Sequence, residues 1–143
     1  MSLFRPDEEA AVRALFAKLE REVELVLVDG PAEGVLLGGR DIDLPAEARK
    51  LLAGLAELGD RVSFRVTEEP ELGVERFPAI VVLADGVDTR IRYYGLPWGY
   101  ELASVVGAVI EAGAAESSLS EESQAILDAL EQDVALEVFV TPT

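Results

Sequence analysis

The nucleophiles, bases and ligands available to this chain of 143 residues are few: it has no cysteine and no histidine. It therefore has no thiolate nucleophile, no disulfide, no imidazole base near neutral pH and no zinc or haem site of the usual ligand types. Serine and threonine hydroxyls have no histidine to activate them, which argues against hydrolase chemistry. Asp41 and Asp43, with Asp29 and Glu33 near in sequence, could be imagined as a carboxylate pair or a hard-cation site. Asp43, however, stands two residues before Pro45 and reads as a helix N-cap. The glycines at 30, 34, 38 and 39 do not make the Gly-X-Gly-X-X-Gly of a dinucleotide site. An enzyme working through Asp or Glu alone would need a deep pocket with two facing carboxylates. We expect no catalytic residue, no metal and no cofactor in this chain.

Two features remain. Phe77-Pro78 stands immediately before an apolar run, where a proline fixes the start of a strand. Tyr93, Tyr94, Trp98 and Tyr100 gather the polar aromatics within eight residues. Tyr and Trp are enriched at interfaces, so Tyr94, Trp98 and Tyr100 are candidates for a docking surface. The plainer alternative is that strand and helix residues of this run pack the edge of the core.

The elements that must position these residues follow from composition and pattern. Half of the residues are hydrophobic, enough to close a core in one domain. Twelve bases against 28 acids leave a formal charge of −16, which repels nucleic-acid backbones and anionic lipid. The tail from residue 113 onward carries no base. No apolar run approaches the ~20 residues that span a bilayer. The first residues run into Asp7-Glu8-Glu9 without the apolar stretch of a signal peptide. A soluble, cytoplasmic chain is the expectation.

The spacing of Ala11, Ala14, Leu15 and Leu19 predicts an amphipathic helix over 7–22, with Pro6 near its start. Residues 23–28 form a strand covered on both faces. The stretch 32–43, around Gly38-Gly39, reads as a small hairpin or an irregular loop. Asp43 and Pro45 open a helix through Leu51, Leu52, Leu55 and Leu58 that stops at Gly59. Residues 61–67 alternate as a half-buried strand, and 68–76 are too short for more than a turn of helix. Strands at 79–83 and 89–94 flank Asp85-Gly86 as a hairpin, and a helix comes next that ends at Gly113. Beyond a linker at 116–118, Ser120 caps a helix bearing Ile126, Leu127 and Leu130, and 134–140 read as a final apolar strand. The crossover makes the first two strands parallel while the hairpin strands are antiparallel, so the sheet is mixed, with helices on both faces. That element order is thioredoxin-like.

Phe77-Pro78-Ala79-Ile80-Val81 and the run from Arg92-Tyr93-Tyr94-Gly95-Leu96-Pro97-Trp98 to Gly99-Tyr100-Glu101 carry a resemblance. So do Ser120-Glu121-Glu122, Asp133 and the terminal Val138-Phe139-Val140-Thr141-Pro142-Thr143. Together they resemble the glutaredoxin-like protein disulfide oxidoreductases built from two tandem thioredoxin-fold units. They are also similar to the N-terminal domain of the alkyl hydroperoxide reductase flavoprotein subunit.

The resemblance implies a three-layer α/β/α unit over residues 1–113 without the Cys-X-X-Cys that such units carry after their first strand, where a helix N-terminus activates the thiol. Residues 114–143 would be a linker, helix and first strand of a second unit, whose redox cysteines would lie past residue 143. It also implies a cis bond before Pro78, beside a vestigial groove formed with Phe77. The function expected is that of a redox-inactive unit of a tandem thiol–disulfide oxidoreductase, which supports the second unit, continues its sheet and seats protein substrates. The alternative is an independent thioredoxin-fold adaptor that binds a protein or peptide with no redox role. In the chain alone, the strand at 134–140 would cross over to an edge of the first unit or exchange between two chains as a homodimer.

Overall fold

The computed structural model describes residues 4–30, 43–68 and 72–140. The elements run α1 (Pro6–Phe16), β1 (Val23–Val28), α2 (Leu44–Ala56), β2 (Val62–Thr67), β3 (Ala79–Ala84), β4 (Val87–Tyr94), α3 (Tyr100–Gly113) and α4 (Glu121–Asp128). The expected hairpin or loop at 32–43 lies almost wholly outside the described residues.

The strands form one sheet in the order β2-β1-β3-β4. β1 is parallel to β2, with Val23 opposite Val62 and Val28 opposite Thr67. It is antiparallel to β3, which is in turn antiparallel to β4. This arises from the sequence: the crossover through α2 forces the parallel pair, and the Asp85-Gly86 turn, with φ of 49° and 77°, forces the antiparallel one.

The alternating side chains of β1 and β3 divide the core in two. Val23, Leu25 and Leu27 with Ile80, Val82 and Ala84 face one side, where they meet Phe16 of α1, Leu51, Leu52 and Leu55 of α2, and Val105 and Val109 of α3. Val26, Val28, Ala79, Val81 and Leu83 face the other, where Leu72, Val74 and Phe77 pack against them. One outer layer is thus built from three helices. Among the described residues, the other is built from the short turn before β3 and not from a helix, so the helices expected on both faces are found on one, because the stretch at 68–76 is too broken to form a second crossover helix.

Two elements differ from the sequence expectation. The helix expected over 7–22 ends at Phe16. Glu20 and Arg21 instead give their N–H groups to the carbonyl of Gly113, at 2.8 and 3.0 Å. Leu19 presses on that glycine so closely that a Cβ there would meet its Cδ2 at 2.5 Å. Tertiary pairing with the end of α3 overrides good helix formers.

The strand expected at 134–140 does not form. The segment carries no regular secondary structure and pairs with no edge of the sheet. Val134, Leu136, Val138, Phe139 and Val140 are all more than half exposed. A strand needs a neighbour for its N–H and C=O groups, and none of the described strands supplies one. α4 forms as expected, with the Ser120 hydroxyl accepting the Ser123 N–H at 3.2 Å, but it buries no residue.

Candidate functional site

In a thioredoxin-like sheet, chemistry belongs at the end of β1, where the start of α2 and the turn before β3 converge. Asp29 and Gly30 come directly after β1 there. The Asp29 N–H bonds the Thr67 carbonyl at 2.9 Å, and its carboxylate pairs with Arg49 of α2. The start of α2 is capped by Asp43, whose Oδ1 accepts the Ala46 N–H at 3.1 Å while its carbonyl accepts the Glu47 N–H at 3.0 Å. A helix N-terminus of this kind lowers the pKa of a thiol placed on it. Here a carboxylate takes that donor, and the chain has no thiol to place.

Phe77 and Pro78 face this point from the other side. The peptide bond between them is cis, and Pro78 is buried at the threshold of β3, its carbonyl accepting the Gly95 N–H at 2.8 Å. The Phe77 ring lies across Gly30, where a Cβ would sit 2.6–2.9 Å from three ring carbons. Gly30 and Phe77 therefore close together the gap between the end of β1 and the proline turn.

The aromatic run divides by burial. Tyr93 packs against the main core and its hydroxyl donates to Glu101 Oε2, tying β4 to the first turn of α3. Burial, then the hydrogen bond to Glu101, pushes its phenol above the ordinary range. Tyr94, Trp98 and Tyr100 are at the surface, Tyr100 at 89 % exposure. Gly95 and Gly99, with φ of 97° and 63°, turn the chain so that Trp98 stands between them.

Sequence reading singled out Phe77, Pro78, Tyr94, Trp98 and Tyr100. The structure brings Phe77 and Pro78 to the end of β1 and leaves the other three on the surface, Tyr94 at the end of β4 and Trp98 and Tyr100 after it. Asp41 and Glu33 lie outside the described residues, and Asp43 is a cap. No group of three or more acidic side chains that could hold a metal occurs among the described residues. No described helix is long and apolar enough to cross a membrane. The Asp29–Arg49 pair was missed. The parallel crossover contains the signal for it, because α2 starts at the C-terminal end of β1 and its second turn must pass close to residue 29.

No protein-family model matches the sequence. The AhpF component of the alkyl hydroperoxide reductase of Escherichia coli K12 is 31% identical over 118 residues, 82% of this chain and 19% of that protein. Its counterpart in Staphylococcus epidermidis RP62A is 31% identical over 134 residues, 90% of this chain and 25% of that protein. The chain thus spans a fifth to a quarter of the length of these relatives. Among solved structures, the NTD_N/C domain of AhpF from Enterococcus faecalis V583 superposes with a TM-score of 0.75 at 24% identity, covering 90% of this chain and 62% of that one. A protein disulfide oxidoreductase from Aeropyrum pernix shares the fold at a TM-score of 0.68 and 18% identity, covering 91% and 56%. The strand order, the proline turn and these likenesses together make the chain a thioredoxin-like unit related to the N-terminal region of the AhpF component of alkyl hydroperoxide reductases.

Proposed function

We propose that this chain is the redox-inactive thioredoxin-like unit of a longer thiol–disulfide oxidoreductase, one that supports a second, cysteine-bearing unit and helps to seat its protein substrates. The observation that carries this reading is the end of β1. It keeps the helix N-terminus and the cis-proline of a redox carrier, yet Asp43 takes the helix donor and Phe77 lies on Gly30 where the carrier would need access to sulfur. A unit without a thiol cannot pass electrons by disulfide exchange, because both the attacking and the leaving atom are sulfur. What it can contribute is surface and rigidity. Because Phe77 covers Gly30, an extended substrate would dock at Trp98 and Tyr100 rather than beside Pro78.

The exposed aromatics also favour a second reading, an independent adaptor that binds a protein on Trp98 and Tyr100 with no redox partner. The coding sequence beyond residue 143 separates the two, since a Cys-X-X-Cys close downstream supports the first and its absence supports the adaptor. The functional test compares disulfide reduction by the longer protein with and without residues 1–113. Loss of rate or of stability on truncation is expected, and equal values for both would remove any role for this unit.

A further inference from the structure

We propose that residues 72–77 are a hinged cover on the second face of the sheet, opening as a unit while the sheet and its helical layer stay folded. The two faces are covered unequally. The first lies under Phe16, Leu51, Leu52, Leu55 and Val109, all fully buried. Among the described residues, the second lies under Leu72, Val74 and Phe77, each of them only partly buried. A segment opens locally where it contributes few buried apolar contacts and shares no ladder with the rest. Residues 72–77 meet both conditions, since they lie outside every strand of the sheet.

What the cover hides follows from the strand register. Val26 and Val28 of β1 with Ala79, Val81 and Leu83 of β3 form an apolar strip along the middle of this face. On β2, Arg65 stands opposite Val26; on β4, Arg92 stands opposite Val81 and Asp88 opposite Leu83. Residues directly opposite each other share a face, so charge rims the strip on both sides. Arg65 pairs with Glu24 at 2.7 Å and Arg92 with Asp88 at 2.6 Å, and neither pair includes a residue of the turn.

That rim lets the turn lift without stranding a polar group. The turn is fastened at one end by the bond from Arg92 Nη2 to the Leu72 carbonyl, at 2.7 Å, and at the other by the Phe77 ring on Gly30. When the first fastening breaks, Arg92 keeps Asp88 and the Leu72 carbonyl passes to water, so no charge is left buried alone. Pro78 is buried and its carbonyl accepts the Gly95 N–H at 2.8 Å, which ends the moving part at the start of β3. Gly73, at φ 64°, has nothing within 4 Å of where a Cβ would stand, so the turn has room on its outer side.

Because the chain has no cysteine, a single introduced one reports exposure without interference. Val26→Cys and Val81→Cys place a thiol beneath the turn, and Val109→Cys places one beneath the helical layer; all three positions are fully buried. Labelling by an aromatic disulfide reagent is followed in the whole chain as urea is raised, with circular dichroism checking that each variant folds. The two positions beneath the turn should label at least about tenfold faster than Val109→Cys and within about threefold of each other. Their rates should also rise less steeply with urea, because opening the cover exposes less surface than unfolding the chain. Val28→Cys replaces either variant that does not fold. Equal rates and equal urea slopes at all positions would show that the strip is reached only by global unfolding, and the cover is overturned. Fast labelling confined to one of the two positions overturns opening as a unit.

Discussion

Asp88 and Arg92 stand four residues apart on one strand, yet two hydrogen bonds of 2.8 and 2.6 Å join guanidinium to carboxylate. In regular β structure that separation would be about 13 Å. The bulge at 89–91 draws the two ends together, and the Arg90 N–H adds a further bond to Asp88 Oδ1 at 2.8 Å. Arg92 also donates to the Leu72 carbonyl at 2.7 Å, so one side chain fastens both the bulge and the turn that covers the second face of the sheet. Arg92→Leu should therefore destabilise the fold by about 1.5–3 kcal/mol, the range for hydrogen bonds to a charged group. It should also raise protease sensitivity near residue 72 before the rest of the chain opens. Denaturant unfolding and limited proteolysis measure the two effects.

The same pair predicts a pH dependence. Hydrogen bonding from Arg92 holds the Asp88 carboxyl below its ordinary value, against the opposing effect of partial burial. A folded-state pKa below the unfolded one, near 3.9, contributes stability that is present above that value and lost as pH falls through the folded one. The stability difference between wild type and Asp88→Asn should be constant from pH 7 to about 5 and shrink below about pH 4. A difference that persists at pH 2 would mean that Asp88 acts by shape and not by charge.

Tyr93 gives the opposite sign at the other end of the scale. Its phenol is raised by burial and by donation to Glu101. The stability it contributes is present below the unfolded value, near 10, and lost as pH rises through the folded one. In an ultraviolet titration of the three tyrosines, Tyr93 should ionise last, and Tyr93→Phe should remove that late step. The same variant should cost about 0.5–1.5 kcal/mol, since Glu101 keeps partial access to water after its partner is lost.

Gly30→Ala should destabilise by about 1–3 kcal/mol, because the new methyl would be forced to 2.6–2.9 Å from three carbons of the Phe77 ring. Combining it with Phe77→Ala should restore most of the loss, as the two residues share one space. Simple additivity of the two changes would show that Phe77 does not rest on Gly30.

Strand order was legible because each step has a single physical solution: a crossover helix makes β1 and β2 parallel, and Asp85-Gly86 reverses the chain between β3 and β4. The candidate site was legible only in part. Pro78 and the aromatics stand out as residue types, whereas Gly30 under Phe77 and Arg49 on Asp29 depend on distances that no local pattern encodes. The end of α1 differs from its pattern because Lys18, Leu19, Glu20 and Arg21 are good helix formers, and the carbonyl that draws Glu20 and Arg21 away belongs to Gly113, far along the chain. The strand expected at 134–140 was misread for the converse reason. Its residues suit a strand, but pairing is a property of two segments, and the described residues contain only one.

That asymmetry yields a last prediction. α4 buries nothing, the apolar side chains of 134–140 are exposed, and the main cluster of buried residues is complete by Ala112. Apart from the exposed pair of Arg90 with Asp133 at 3.8 Å, which holds little, the last contacts among the described residues that fasten the body to the tail are the two N–H groups on the Gly113 carbonyl and the bond from Arg21 to the Ala115 carbonyl, at 3.0 Å. A chain ending at residue 118 keeps the bonds to Gly113 and Ala115, and should unfold within a few degrees of the full 143 residues, with an unchanged cooperative transition. It should also be the more soluble of the two, since it sheds Ile126, Leu127, Leu130 and the exposed valines, which form an apolar surface with no cover. Calorimetry and light scattering on the two chains check both points. A large fall in the midpoint for the shorter chain would show that the tail contributes to the first unit's own stability.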